Sequence, residues 1–379
     1  LAAGLTLAEL AAVIPRDGGL SIYLNEIYGH FWAFLLGWVD TMIYTPGSAA
    51  ALAIILVTQF SVLYPASILT QKALALVIIF LLVWINTIGT KQGGFIQTSA
   101  TIAKLIPIAL LVIWGVTYHG PTAVSQTPVA ASQGTSMGAA ILATLWAYDG
   151  WNSVTNIAGE IKDPGRLLPR SIIFGIGLVM VVYLLLNVAL LLVIPAQLLA
   201  QSETPATDVA SVLFGSVGAR FISISILISI FGSLNGYIMT GPRVPYALGQ
   251  RRLLPLGERL EKLHPRFETP ANAILLVGVL SSIYTLFGNF NLLTDLIVFV
   301  YWIFFVMCLV GVFIHRRRYP ELQRPYRVPL YPLIPLIGIG GGLYILISTL
   351  LEKPRDALLA IGLTMLGVPV YWWLRRRYR

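Results

Sequence analysis

The chain has few charged residues and almost no cysteine. Asp, Glu, Lys and Arg make up 11% of its 379 residues, against roughly a quarter in soluble globular proteins, whereas 57% of its residues are hydrophobic. The one cysteine, Cys308, lies in an apolar run with no second cysteine to pair with, so we interpret it as a packing residue. The four histidines form no ligand-like cluster. We therefore expect no metal site, no cofactor and no soluble globular fold.

Long apolar runs recur along the whole sequence. Backbone polar groups inside a bilayer must be satisfied within a helix or a closed barrel, and these runs lack the polar–apolar alternation of barrel strands, so they predict transmembrane helices. Residues 1–14 form a shorter run, about two-thirds of a spanning length at 1.5 Å per residue. Ten longer runs bring the prediction to about eleven transmembrane helices: 31–60, 73–89, 95–118, 137–158, 171–194, 217–248, 271–287, 292–315, 330–351 and 357–374.

The basic residues are concentrated in every second connection. One set of alternate connections holds twenty Lys and Arg residues, and the other set holds four. Because basic residues accumulate on the cytoplasmic side, this asymmetry predicts a multi-pass protein of the cell membrane (inner or plasma) with a cytoplasmic C-terminus. The net charge of +9 is then a topology signal, and we expect membrane lipid around the protein and no nucleic-acid partner.

Among the charged residues inside predicted spans, where charge is costly and usually functional, we single out Lys104 and Glu9. Lys104 lies near the middle of its span, too deep to reach either surface easily. We interpret it as a functional or ion-site residue whose ammonium takes the place of a bound sodium ion, with a structural ion pair as the alternative. For Glu9, pairing within the helix bundle and proton coupling are both open.

Two polar stretches interrupt apolar spans. Residues 145–152 (LWAYDGWN) include Gly150 at mid-membrane depth, where non-helical backbone is tolerated only beside a cavity or buried in protein. We predict a break in the helix that binds the charged end of a small substrate; the alternative is a continuous helix with a tolerated glycine. In the second stretch, 231–237, Ser233 and Asn235 indicate either close helix packing or a pore-lining face.

These residues resemble the amino acid–polyamine–organocation (APC) superfamily, and within it the L-type amino acid transporter branch. The resemblance runs nearly end to end, and residues 146–152 are its most specific part. The matching stretches are 8–10 with 14–19, 146–152 with 159–164 and 168–169, 235–236 with 243 and 245–247, and 320–322 with 324–329.

The resemblance implies an all-α LeuT-like fold of twelve helices, the first ten of which form two inverted five-helix repeats. On that register residues 1–14 are the second helix, and the first, which would supply half of the substrate site, is absent from the sequence. The chain would be a single transporter domain. Residues 1–118 would be the remainder of the first repeat, 137–315 the second repeat and 330–379 the last two helices.

The resemblance also implies a set of substrate-site residues. Backbone carbonyls of Trp146, Ala147 and Asp149 would accept hydrogen bonds from the substrate ammonium, and Trp146 would be the aromatic gate. Lys104 matches a lysine associated with sodium independence, consistent with its place inside the span. The remaining implied substrate-binding residues are Tyr148, Gly150, Ser233, Asn235, Tyr301 and Trp302.

We expect a sodium-independent exchanger of small neutral L-amino acids that works by alternating access. Three alternatives stay open: a proton-coupled permease with Glu9, Asp149 or Lys104 as the titrating group, a permease for cationic amino acids that pair with Asp149, and a fragment unable to transport. The sequence has no His/Asp/Ser constellation of an enzyme. Eukaryotic members of the branch that this chain resembles bind a heavy subunit through a cysteine in the loop that corresponds to 61–71; because this loop has no cysteine, we expect no disulfide-linked heavy subunit.

Overall fold

The computed structural model of the chain describes residues 1–16, 18–120, 137–152, 154–155, 158, 161–202 and 204–377. Within these ranges the chain forms helices and connecting turns, with no strand. In chain order the α-helices are α1 (Ala2–Val13), α2 (Leu20–Tyr28), α3 (His30–Val39), α4 (Thr45–Leu63), α5 (Ile68–Ile88), α6 (Thr90–Val116), α7 (Met137–Ala147), α8 (Pro164–Val193), α9 (Ala196–Gln201), α10 (Pro205–Thr240), α11 (Arg243–Gln250), α12 (Gly257–Leu260), α13 (Ala271–Phe287), α14 (Phe290–Arg318), α15 (Leu333–Glu352), α16 (Pro354–Met365) and α17 (Gly367–Arg377). A π-helical segment, Asp40–Tyr44, joins α3 to α4.

The prediction of an all-α protein with several membrane helices is confirmed. Among the described residues, eight helical stretches are long and apolar enough to cross a membrane by length and composition, and α1 and α13 are shorter apolar helices. The eight stretches are His30–Leu63, Ile68–Ile88, Thr98–Val116, Pro164–Val193, Pro205–Gln250, Phe290–Arg318, Leu333–Glu352 and Pro354–Arg377. The total of eleven spans stays a prediction.

The position of a helix in the bundle does not follow from its hydropathy. The most apolar 18-residue stretches of α8 and α14 have the same mean hydropathy, 2.8. Yet 17% of the residues in the α8 stretch are buried inside the protein, against 67% in the α14 stretch. Helix α14 packs against α1, α2, α4, α15 and α16 and is the centre of the bundle, whereas α8 exposes residues such as Phe174 and Leu178. In a bilayer both protein neighbours and lipid tails are apolar, so one composition suits both positions.

A proline explains the π-helical segment in the first long span. Pro46 has no backbone N–H, so it cannot donate the usual helical hydrogen bond to the carbonyl of Met42, four residues earlier. The hydroxyl of Tyr284, on α13, donates to that carbonyl at 2.6 Å instead. The extra residue in this turn changes the direction of the side chains that precede it, as such insertions often do at functional sites.

Helix α10 contains two parts joined at a kink. Gly215 has φ 67° and ψ −165°, a backbone conformation that favours glycine, and it separates a short stretch beginning at Pro205 from the long membrane helix. Thr207 in the short stretch is buried, and its hydroxyl lies 3.1 Å from that of Ser223 in the long part. The short stretch therefore folds back onto the end of the membrane helix.

Candidate substrate site

Helix α7 ends inside the predicted span 137–158, as the polar stretch indicates. The amide of Tyr148 still donates to Thr144, but that of Asp149 donates to the carbonyl of Trp146 at 3.1 Å, a three-residue turn that tightens and closes the helix. Gly150 follows with φ 90°, a conformation that side chains disfavour. Local backbone chemistry thus produces the helix break, and α8 begins only at Pro164.

A cavity of about 240 Å³ lies between this break and α8. From the break, its walls include Ala147, Tyr148 and Asp149. From α8, six residues line it: Ser171, Ile172, Gly175, Ile176, Val179 and Tyr183. The Tyr183 hydroxyl donates to the carbonyl of Ala147 at 3.0 Å. The ring of Tyr183 also meets that of Tyr148 edge-on, with the centroids 5.0 Å apart. The cavity therefore combines backbone polar groups of the break with aromatic and small side chains.

The carboxylate of Asp149 is held by two tyrosine hydroxyls from distant helices. Its Oδ2 accepts hydrogen bonds from Tyr44 at 2.6 Å and from Tyr237 at 2.9 Å. The ring of Tyr44 stacks on that of Tyr301, with the centroids 4.1 Å apart. The π-helical segment, α10 and α14 therefore meet at one carboxylate of the break.

Close contact between α4 and α10 brings these two donors together. A Cβ at Gly241, just after α10, would lie 2.1 Å from the methyl group of Thr45, so any larger residue would push the helices apart. Tyr237 is one turn before Gly241, and Tyr44 immediately precedes Thr45. The Thr45 hydroxyl itself donates to the carboxylate of Asp40 at 2.8 Å, which adds a second acidic group beside this network.

Trp146 and Trp302, which the resemblance places at the substrate site, are not among the residues that line the cavity at the break. The Trp146 ring meets that of Phe290, at the start of α14, edge-on with the centroids 5.0 Å apart. Trp302 packs against α15, where a Cβ at Gly342 would lie 3.2 Å from its ring. Both tryptophans contact one small apolar cluster that includes Leu142. Their roles as gate and pocket residue stay predictions.

Ser233 and Asn235 make hydrogen bonds within and between helices. The Ser233 hydroxyl donates to the carbonyl of Ser229 on its own helix at 3.1 Å. Asn235 is fully buried and accepts a hydrogen bond from the side-chain amide of Asn86, on α5, at 2.9 Å. These contacts connect α10 to α5, and neither residue lines the cavity at the break.

The two predicted intramembrane charges have different surroundings. Glu9 is 2% exposed and accepts from Arg316 at 2.7 and 2.6 Å and from the amide of Val328 at 2.8 Å, with Arg324 3.3 Å away. The structure thus supports the pairing interpretation for Glu9. Lys104 is partly buried in α6, and the ion pairs formed by the described residues do not include it.

Four residues of this site are absent from the sequence-based predictions: Asp40, Tyr44, Tyr183 and Tyr237. A signal for Asp40 existed, because it is a third carboxylate inside a predicted span and meets the same criterion as Glu9. Tyr237 falls within the polar stretch 231–237, although the sequence analysis names only Ser233 and Asn235 there. Tyr44 and Tyr183 give no comparable signal, since aromatic residues are common throughout the spans. Asp17, Gly159 and Glu160 of the matching stretches lie outside the described residues.

The amino acid permease family model matches residues 1–370. The chain belongs to this family. It is therefore a transport protein rather than an enzyme, and an APC-superfamily member of the L-type branch, as the resemblance predicts.

Relatives of this permease include bacterial and mammalian transporters. It is 40% identical to the serine/threonine exchanger SteT of Bacillus subtilis (strain 168), over 100% of this chain and 86% of the relative. It is 30% identical to the b(0,+)-type amino acid transporter 1 of Mus musculus, over 99% of this chain and 78% of the relative. It is 28% identical to the Asc-type amino acid transporter 1 of Mus musculus, over 97% of this chain and 71% of the relative.

Proposed function

We propose that this permease exchanges small neutral L-amino acids across the cell membrane by alternating access. The observation that best supports the proposal is the helix break at 148–150 beside a cavity, because exposed backbone groups at membrane depth are the usual means by which transporters bind the charged ends of small substrates. The similarity to a serine/threonine exchanger favours exchange and a small side chain.

The size of the cavity agrees with a small substrate. Its volume of about 240 Å³ is below the roughly 300–1,000 Å³ of sites for drug-sized ligands. We propose that the substrate ammonium binds beside the carbonyls of Trp146, Ala147 and Asp149, with Trp146 as the gate. In the observed state the Ala147 carbonyl accepts from Tyr183, so binding would exchange a hydroxyl donor for an ammonium donor.

We propose that transport is independent of sodium. Lys104 lies inside α6, and no ion pair joins it to a described carboxylate; in this proposal its ammonium supplies the positive charge that a sodium ion would otherwise bring. Replacing sodium by choline on both sides of the membrane is expected to leave the exchange rate unchanged. A rate that falls with sodium removal would reject this part of the proposal.

We propose the inverted-repeat, LeuT-like arrangement for the described helices, with eleven crossings, a cytoplasmic C-terminus and no disulfide-linked subunit. Support comes from the helix break at Asp149 within the second repeat (137–315) and from the charge asymmetry of the connections. Cys308 is buried and unpaired in α14, away from any surface where a partner's cysteine could meet it.

Cationic amino acids are a second candidate substrate class. Asp149 is one of the residues that line the cavity, so the ammonium or guanidinium of a lysine or arginine side chain could pair with its carboxylate. Competition decides between the two classes: arginine in excess should reduce uptake of labelled serine several-fold if cationic substrates enter the same site. No competition would restrict the site to neutral substrates.

Counterflow in proteoliposomes tests the proposed function directly. Labelled serine or alanine is added outside vesicles that contain the full-length gene product, with unlabelled amino acid inside or absent. We expect uptake only with internal substrate, lost in Trp146→Ala and retained in the matched control Trp84→Ala, a tryptophan of α5 that is 62% exposed. Absence of uptake for every neutral and cationic amino acid would contradict the proposal.

A further inference from the structure

Helix α17 presents tryptophans and arginines together at its C-terminal end. Trp372 and Trp373 are 51% and 50% exposed, and the three arginines of the last turn are exposed as well. The guanidinium of Arg375 lies over the Trp372 ring, 5.6 Å from its centroid, and that of Arg377 lies over the Trp373 ring at 5.3 Å. We call Trp372, Trp373, Arg375 and Arg376 the arginine–tryptophan surface.

The opposite face of α17 packs against α3 and so determines which way this surface points. A Cβ at Gly367 would lie 2.8 Å from the Trp38 ring, so the two helices are in close contact there. One turn later Tyr371 meets Phe34 with the ring centroids 5.1 Å apart, and Leu374 is buried. Residues spaced by four and three share one face of a helix. The two exposed tryptophans lie outside that face and point away from the bundle.

This end of α17 lies where the chain leaves the membrane core. Pro354–Arg377 is one of the helical stretches long and apolar enough to cross a membrane. At 1.5 Å per residue its 24 residues extend about 36 Å, whereas the hydrocarbon core is about 30 Å thick. The last turn therefore reaches the headgroup layer, where tryptophan rings and arginine side chains are well accommodated.

A second run of arginines reaches the same end of the bundle. The guanidinium of Arg318, in the last turn of α14, donates to the carbonyls of Glu26 and Ile27 at 3.2 and 3.4 Å. Phe31, four residues after Ile27, meets the ring of Tyr371 with the centroids 5.2 Å apart. The ends of α14 and α17 thus both contact the corner between α2 and α3, and their arginines add positive charge at one place.

Two arginines of the surface form no ion pair with the rest of the described chain. The ion pairs among the described residues include neither Arg375 nor Arg376. Glu26, a carboxylate of the α2–α3 corner, pairs with Arg16 at 2.6 Å instead. The macrodipole of α17 favours basic residues in its last turn, but it gives no reason for two exposed tryptophans beside them.

Phospholipid headgroups match this combination of side chains. A guanidinium donates two parallel hydrogen bonds to a phosphate, and indole rings are stable at headgroup depth. A phospholipid without a cation in its headgroup leaves the phosphate charge to be neutralised by the protein. We propose that the arginine–tryptophan surface binds an anionic phospholipid, with Arg375 and Arg376 on the phosphate and the two tryptophans against the upper acyl chains. The surface is separate from the substrate cavity, and lipid binding there does not require exchange activity.

Tryptophan quenching by brominated lipids tests the proposal. The purified full-length protein is reconstituted in vesicles of phosphatidylcholine and phosphatidylglycerol at one fixed composition. Bromine is carried on the acyl chains of the phosphatidylglycerol in one preparation and of an equal amount of phosphatidylcholine in the other. Subtracting the quenching of the matching Trp372→Phe/Trp373→Phe protein isolates the signal of the two tryptophans. We expect stronger quenching by phosphatidylglycerol, with a preference that falls as the ionic strength rises.

Arg375→Gln/Arg376→Gln removes two charges without altering the packed face of α17. An arginine near a membrane surface contributes a factor of about five in affinity for anionic lipid, so the preference should fall at least about tenfold. The matched control is Arg251→Gln/Arg259→Gln, which removes two exposed arginines of the α11–α12 segment that are likewise absent from the ion pairs of the described residues. The control should keep the full preference.

Three outcomes would overturn the inference. The first is equal quenching by the two lipids, or a preference that Arg375→Gln/Arg376→Gln leaves intact. The second is weak quenching by both lipids, which would show that another protein, such as a second copy of the chain, covers the tryptophans. The third is an equal loss of preference in the control, which would show general attraction of lipid to basic residues rather than a site on α17. All three leave amino acid exchange unaffected.

Discussion

Two regions of the permease each contain a carboxylate inside the helix bundle, but the partners of the two carboxylates differ. Glu9 is bound by two arginines and a backbone amide near the predicted cytoplasmic end of α1. Asp149, in the helix break, is bound by the hydroxyls of Tyr44 and Tyr237. Arginines compensate the charge of the first carboxylate, whereas no basic residue that the structure describes forms an ion pair with the second.

The difference separates a structural site from a site that awaits a ligand. In a buried ion pair, the attraction between the two charges offsets the cost of desolvation only when both partners are present. Once the pair has formed, its carboxylate is neutralised, so a further cation gains little by binding to it. Hydroxyl donors orient a carboxylate without neutralising it, so a positive charge, from a substrate ammonium or a proton, still lowers the energy. We therefore expect mutations at Glu9 to affect stability and mutations around Asp149 to affect binding.

Glu9→Gln is expected to have the largest effect on stability. The substitution leaves Arg316 and Arg324 without a counter-charge, and Arg324 is only 6% exposed at its side chain. Breaking one partner of a buried pair typically costs about 3–5 kcal/mol. Thermal unfolding of the detergent-solubilised protein should show a marked drop in the midpoint, with serine affinity unchanged in the protein that remains folded. A larger drop for Asp149→Asn than for Glu9→Gln would reverse the comparison.

Tyr44→Phe and Tyr237→Phe are expected to weaken serine binding about tenfold each. Each variant removes one of the two hydroxyl bonds to Asp149, and a hydrogen bond to a charged group contributes about 1.5–3 kcal/mol. The ionised form of Asp149, beside which we propose that the substrate ammonium binds, then becomes more costly. Calorimetric titration measures the change. Tyr28→Phe, which removes a hydroxyl bond to Met307 on α14, is the matched control and should bind serine normally.

Sequence reasoning found the helix break but not the donors that fix its carboxylate. The break is local chemistry, because Gly150 and the polar stretch around it interrupt the apolar run within a few residues. Tyr44 and Tyr237 are 105 and 88 residues away from Asp149 in the chain. Their meeting depends on the close contact of α4 with α10 at Gly241, and no local pattern encodes that contact.

Membrane spans were predictable, whereas their places in the bundle were not. Hydropathy identifies α8 and α14 equally well, at a mean of 2.8, because lipid and protein interior are similarly apolar. Intramembrane charge is the better guide to sites. Applied consistently, it identifies Asp40 and Asp295 along with Glu9 and Lys104, and two of those four lie in ion pairs between helices or their connections.

Lys353→Met tests an ion pair whose exposure lies between that of the buried Glu9 pair and that of the exposed Arg16–Glu26 pair. Lys353, between α15 and α16, pairs with Asp295 on α14, and the two side chains are 35% and 10% exposed. The partly exposed lysine end is solvated, so we expect a loss of about 1 kcal/mol, well below that for Glu9→Gln. The same unfolding assay measures it. A loss as large as that for Glu9→Gln would show that burial of the pair does not set its contribution.

Arg16→Ala should have the smallest effect of the series. Arg16 pairs with Glu26 at 2.6 Å, but the side chains are 60% and 32% exposed. Exposed pairs contribute about 0.2–1 kcal/mol, and salt screens them. Raising the ionic strength should therefore remove the difference between Arg16→Ala and the unmodified protein while leaving the Glu9→Gln defect in place. If salt reduced both defects equally, the arginines around Glu9 would be in contact with solvent, and their carboxylate would resemble Glu26 rather than a desolvated structural site.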